Sequence, residues 1–143
     1  LNDSPDHKIM KSLDQQTSVS RSVHVDYRRA LRNRCADFVH QVYRVTKTFP
    51  REELYSTTSQ LRRAALSIPL NYFEGYARQR IAVQRNFLEI AYGSAKETEF
   101  LLEFVRDEGY IAHEQADKLL KEIDEIGAML YSEIRKIKTS DGI

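Results

Sequence analysis

Apolar residues recur along this chain at alternating spacings of four and three, and that period leaves few folds open. Leu31, Cys35, Phe38, Val42, Val45 and Phe49 form one such seam, and Leu54, Thr58, Leu61, Ala65, Ile68 and Tyr72 form a second. A 4-3 repeat keeps one apolar stripe on one face of a helix and suits helices packed nearly in line. A third stripe runs through Phe87, Ile90, Ala91, Ser94, Thr98, Leu101, Leu102 and Val105. The fourth runs from Ala116 through Leu119, Leu120, Ile123, Ile126, Leu130 and Ile134 to Ile137. Five glycines and three prolines in 143 residues leave few turn residues for a many-stranded sheet. The expected fold is all-α, an up-down-up-down antiparallel four-helix bundle over residues 26–143, preceded by a polar N-terminal arm over 1–25.

Local signals predict how each helix begins and ends. Residues 1–25 are serine-rich and without sustained periodicity, so the first helix is expected to start after Asp26 as N-cap. Pro50 stops it, and Glu52 and Glu53 suit the start of the second. Leu66, Leu70 and Phe73 broaden the second stripe and predict the most buried helix of the set. Pro69 inside it predicts a kink near Ala65–Ser67 rather than a break. The Gly93, Ser94, Ala95 run predicts a notch for a bulky neighbour such as Tyr72, and Gly109 is a ready C′ residue. Tyr72, Phe73, Tyr76 and Tyr92 are expected at the surface, with more apolar area than one small bundle needs; a homo-oligomer follows.

Chemistry-bearing constellations are scarce. The histidines, His7, His24, His40 and His113, are scattered with no pair at helical spacing, and the Glu-x-x-His repeat of di-metal bundles is missing. No glycine-rich phosphate loop or nucleophile elbow occurs. No enzymatic role, cofactor or metal is therefore expected. The single cysteine, Cys35, lies on an apolar seam and reads as a core residue. The apolar runs are too short for a membrane helix, and the stretch "LNDSPDHKIMKSLDQQ" has no apolar signal core, so a cytoplasmic protein is expected.

Charge is unevenly placed. The net charge is +1, yet residues 27–81 hold 11 basic against 4 acidic residues, while 82–112 hold 3 against 6 and 113–143 hold 5 against 7. Two readings follow: internal or intersubunit charge complementarity, or a polyanion-binding face. Arg28, Arg29 and Arg32 open the expected first helix, and Arg62, Arg78, Arg80 and Arg85 are placed around the second loop. In an antiparallel bundle these clusters meet at one end and form a candidate nucleic-acid-binding face, with Tyr76 available to stack on a base.

The run "FPREELYSTTSQLRRAALSIPLNYFEGYAR" followed by "NFLEIAYGSAKETEFLL" resembles the four-helix-bundle family named for reading frames in intervening sequences of bacterial large-subunit rRNA genes. The matching positions span Phe49 to about Ile111 and include Arg63, Asn71, Glu74, Gly75, Gly93, Ser94, Glu97 and Glu99. Tyr72-Phe73 departs from the smaller aliphatic residues usual there. The resemblance implies a barrel-like homopentamer. It also points to a related accessory protein of diversity-generating retroelements, which binds nucleic acid and a reverse transcriptase. A nucleic-acid-binding accessory protein (RNA or single-stranded DNA) is the first functional expectation. An oligomeric scaffold for an acidic protein partner is the second. On the structural reading, Glu74 pairs with Arg78 one turn on, and Glu97 and Glu99 meet Arg62 or Arg63.

Overall fold

The computed structural model describes residues 5–138, and of residues 5–7, 24 and 25 the backbone alone. The ends of the expected arm and bundle, residues 1–4 and 139–143, and the side chains of His7 and His24 lie outside the described residues. Four α-helices and one 3₁₀ turn account for the fold, with no strand among the described residues. The helices are α1 (Pro5–Thr46), α2 (Thr57–Ala77), α3 (Ile81–Asp107) and α4 (His113–Lys136). The chain divides into two compact units, Leu1–Asn33 and Arg34–Ile143.

In the first unit the helix begins at Pro5, not after Asp26. No glycine or proline lies between residues 6 and 49, so nothing stops a helix once Pro5, pre-set for the first helical position, has started it. Serine and threonine do not break it because their hydroxyls fold back onto the helix. Thr17 Oγ1 donates to the Asp14 carbonyl at 3.0 Å and Ser18 Oγ to that of Gln15 at 2.8 Å. Arg28, Arg29 and Arg32 consequently sit in the middle of α1 and not at its first turns, where the helix dipole would disfavour their charge.

The second unit is the bundle core. Cys35, Phe38, Val42 and Val45 are buried along the end of α1, and Phe49 just past it, as the 4-3 spacing requires. Thr46 Oγ1 donates to the Val42 carbonyl at 2.8 Å, and successive i→i+3 bonds tighten the chain ahead of Pro50. A 3₁₀ turn at Arg51–Glu53 precedes α2, so Glu53 acts on the start of α2 from outside it. The Glu53 carboxylate accepts from Ser56 Oγ and from the Thr57 amide at 3.4 Å. Helix α3 ends in a Schellman arrangement: Tyr110 N–H donates to the Val105 carbonyl at 2.9 Å and Gly109 N–H to that of Arg106 at 3.0 Å, with Gly109 at φ 75°.

Helix α2 runs unbroken through Pro69 and packs on α3, which packs on α4. Leu61, Ala65, Ile68 and Tyr72 are buried as the seam predicts. Leu66, Leu70 and Phe73 are exposed, so α2 has a second apolar stripe that its own bundle does not cover. Of the four aromatics also expected at the surface, Tyr72 is only 1% exposed, so its seam position prevails; Tyr76 and Tyr92 are half-buried and Phe73 remains outside. Leu54 and Ile90, placed on inner stripes by spacing, are both exposed.

The close approach expected at Gly93 occurs at Gly75 instead. A Cβ on Gly75 would lie 3.0 Å from Phe87 Cβ and 3.1 Å from the Gln84 carbonyl oxygen. A Cβ on Gly93 would meet nothing within 4 Å. Ser94 and Ala95 do face inward. Gly93 lies one residue off that face, so the small-residue run wraps from the core to the outside.

Candidate nucleic-acid interface

The loop between α2 and α3 is three residues long and tightly held. Arg78 N–H donates to the Gly75 carbonyl at 3.1 Å, and Gln84 reaches back with its side-chain amide to the Arg78 carbonyl at 2.6 Å. The absence of a side chain on Gly75 lets the first turn of α3 come this close. Arg78, Gln79, Arg80, Ala77 and Val83 line a groove of about 410 Å³.

The four arginines expected around this loop have different fates. Arg78 is ion-paired with Glu74 and lies over the Phe87 ring, 5.2 Å from its centroid. Arg85 Nε donates to Glu89 Oε1 at 3.0 Å along α3. Arg80 is exposed, and its side chain has no hydrogen bond or ion pair among the described residues. Arg62 is not at the loop: sixteen residues separate it from Arg78, about 24 Å of helix. It donates through Nε to Thr46 Oγ1 at 2.8 Å and stacks over Tyr43 at 4.9 Å, tying α2 to the end of α1. Arg28, Arg29 and Arg32 are exposed on the α1 segment of the first unit. Tyr76 is engaged too: its hydroxyl donates to the buried carboxylate of Glu133, and its ring meets that of Tyr72 edge-on at 5.0 Å.

Among the signature residues, Asn71 and Ser94 join the contact between α2 and α3. Ser67 Oγ and Ser94 Oγ are 2.8 Å apart and bridge α2 to α3. Asn71 donates to both the Ser67 carbonyl at 2.8 Å and its hydroxyl at 2.9 Å, and Thr98 Oγ1 donates to the Ser94 carbonyl at 2.7 Å. Glu74 holds Arg78 as expected. Glu97 and Glu99 do not reach Arg62 or Arg63. Glu97 accepts from Gln60, while Glu99 pairs with Lys96 at 2.9 Å, and Arg63 is exposed.

Sequence reasoning missed two side-chain clusters. Arg34 holds Glu122 in a two-pronged contact, Nε to Oε1 and Nη2 to Oε2, both at 3.0 Å, and pairs with Glu125 as well. The hydrogen bonds that Arg34 donates to Glu122 and then to Glu125 push the guanidinium pKa above its ordinary value. Glu133, the other, is buried and has Lys136 Nζ 3.6 Å away besides Tyr76. The available signal was position: these carboxylates flank the Ile123, Ile126, Leu130 stripe of α4.

A larger groove, about 640 Å³, lies between the end of α1 and the start of α4, where Arg44 and Lys118 face it together with Glu114. Burial pushes the Cys35 thiol up to about 12, so it is a poor nucleophile. Among the described residues, no three His, Cys, Asp or Glu side chains are placed to hold a metal ion, and no helix is long and apolar enough to cross a membrane.

Residues 30–132 match the 23S rRNA-intervening sequence protein family. A crystal structure of a protein of unknown function from the S23 ribosomal protein family from Bacteroides thetaiotaomicron is similar over 73% of this chain and 98% of that one. The two share 28% identity and a TM-score of 0.69. No curated protein matches the chain.

Proposed function

Because this chain belongs to the 23S rRNA-intervening sequence protein family, we propose that it is a non-enzymatic, self-associating accessory protein that binds RNA or single-stranded DNA through phosphates. The observation that carries the reading is Arg80, an exposed cation without an ion pair among the described residues, set beside Arg78 on a rigid three-residue loop with an open groove. Cations on a rigid loop lose little entropy on meeting a phosphate, and a ring of copies, five by resemblance, multiplies the phosphates engaged. Exposed Leu66, Leu70, Phe73, Ile90, Phe100 and Phe104 support self-association.

The test is anisotropy of labelled single-stranded RNA and DNA across 50–200 mM salt (~tenfold or more loss of affinity expected). Arg80→Glu weakens binding and flattens the salt slope by about 0.7 for each phosphate no longer neutralised. Arg78→Glu, Arg80→Glu and Arg85→Glu together abolish binding with helix content unchanged. Salt-insensitive or absent binding overturns the reading. A second reading, a scaffold for an acidic protein partner, is favoured by the way Arg62, Arg78 and Arg85 are held by their own chain. It takes over if the triple variant binds nucleic acid as the parent does.

A further inference from the structure

Besides the outer stripe of α2, apolar stripes on α1 and α3 are exposed, and these two match each other. On α1, Ile9, Leu13, Gln16, Ser20, Val23 and Tyr27 recur at the 4-3 spacing of a packing seam, yet residues 8–23 are exposed throughout, with Ile9, Leu13 and Val23 between 54% and 62%. Met10 and Val19 flank the seam and are exposed as well. On α3, Asn86, Ile90, Gly93, Glu97, Phe100 and Phe104 recur at the same spacing on the side away from buried Leu88, Ala95 and Leu102. Ile90, Phe100 and Phe104 are exposed there, Phe100 by 65%. Ile9 to Val23 and Ile90 to Phe104 each span fourteen residue steps, about 21 Å of helix.

Shape and charge match too. Gly93 sits in the middle of the α3 stripe, where a glycine disfavours the helix and no side chain of its own chain fills the space above it. An incoming helix has a ready hole there for an apolar knob. Residues 8–23 carry Lys8, Lys11 and Arg21 against Asp14, while α3 carries Glu89, Glu97, Glu99, Glu103 and Asp107 against Arg85, Lys96 and Arg106. One surface is net basic and the other net acidic. We infer that residues 8–23 of one copy dock along the outer face of α3 of a second copy, with Gly93 receiving the arm. The inference rests on the self-association proposed above, and it names the surfaces that meet.

Two full-length variants test it by sedimentation velocity: an arm variant (Ile9→Glu, Leu13→Glu, Val23→Glu) and a face variant (Ile90→Glu, Phe100→Glu, Phe104→Glu). Each alone loses assembly mass. Mixed one to one they associate again, because the first has an intact face and the second an intact arm. Should the triple face change lose helix content, Gly93→Trp fills the same hole from a position whose added Cβ meets nothing within 4 Å. A parent protein that sediments at 16.7 kDa overturns self-association and the docking together. An assembling parent whose variants assemble unchanged overturns the docking alone. Variants that both fail and do not rescue each other show like-on-like pairing and also overturn it. The arginine triple variant keeps its mass, which separates this interface from nucleic-acid binding.

Discussion

Replacing Gly75 with alanine tests the packing that forms the candidate loop. Gly75 is in the last turn of α2 with no positive φ, so the backbone there accepts any residue. An added methyl gains about 0.8–1 kcal/mol of helix propensity. The same methyl lands 3.0 Å from Phe87 Cβ and 3.1 Å from the Gln84 carbonyl oxygen. Neither atom is the tip of a flexible side chain, so relief requires α3 to move, and overpacking of this kind costs about 1–3 kcal/mol. The net expectation is a loss of about 1 kcal/mol, or roughly 3–5 °C in Tm for a chain of this size. Gly127→Ala is the matched comparison. Gly127 is also buried within a helix, but its added Cβ would meet only Tyr92 Cε2 at 4.0 Å. That variant gains about 1 kcal/mol by the propensity term alone. Calorimetry of both variants reads the two signs side by side. If Gly75→Ala is stabilised as much as Gly127→Ala, α2 and α3 do not approach closely at the loop, and the account of its rigidity fails.

Tyr76→Phe removes the hydroxyl that donates to buried Glu133, and urea titration is expected to show a loss of about 1–3 kcal/mol; unchanged stability means that water already serves that carboxylate. Glu53 is held below its ordinary value of 4.5, first by the Ser56 hydroxyl and then by Thr57. A carboxyl lowered in the folded state contributes stability above its unfolded pKa and loses it as pH falls through the folded value. The gap in urea midpoint between the parent and Glu53→Gln is thus expected at pH 7 and closes in strong acid; a gap equal at both ends refutes the capping role.

How far the fold and the site were legible follows from the range of the physics involved. Heptad spacing, helix-end residues and one-turn charge pairs are local signals, and they were enough for four helices, the buried seam from Cys35 to Phe49, the Gly109 cap and the Glu74–Arg78 pair. Helix initiation at Pro5 is hidden by a polar composition that suggests an arm, although no glycine or proline after Pro5 stops a helix before Pro50. The loop arginines were visible as a cluster in sequence, but Arg62 turned away from them to Tyr43 and Thr46, and only Arg80 was left with no hydrogen bond or ion pair among the described residues. Sequence period alone determined that α2 and α3 have apolar faces and how those faces repeat. Tertiary structure alone decided which of two stripes on each helix is inside. It left Leu66, Leu70 and Phe73 out, and it made Gly75, not Gly93, the point of closest approach. The reason is geometric: a 4-3 repeat sets the spacing along a helix but not the rotation of that helix about its axis, and rotation is settled only by the partners packed against it.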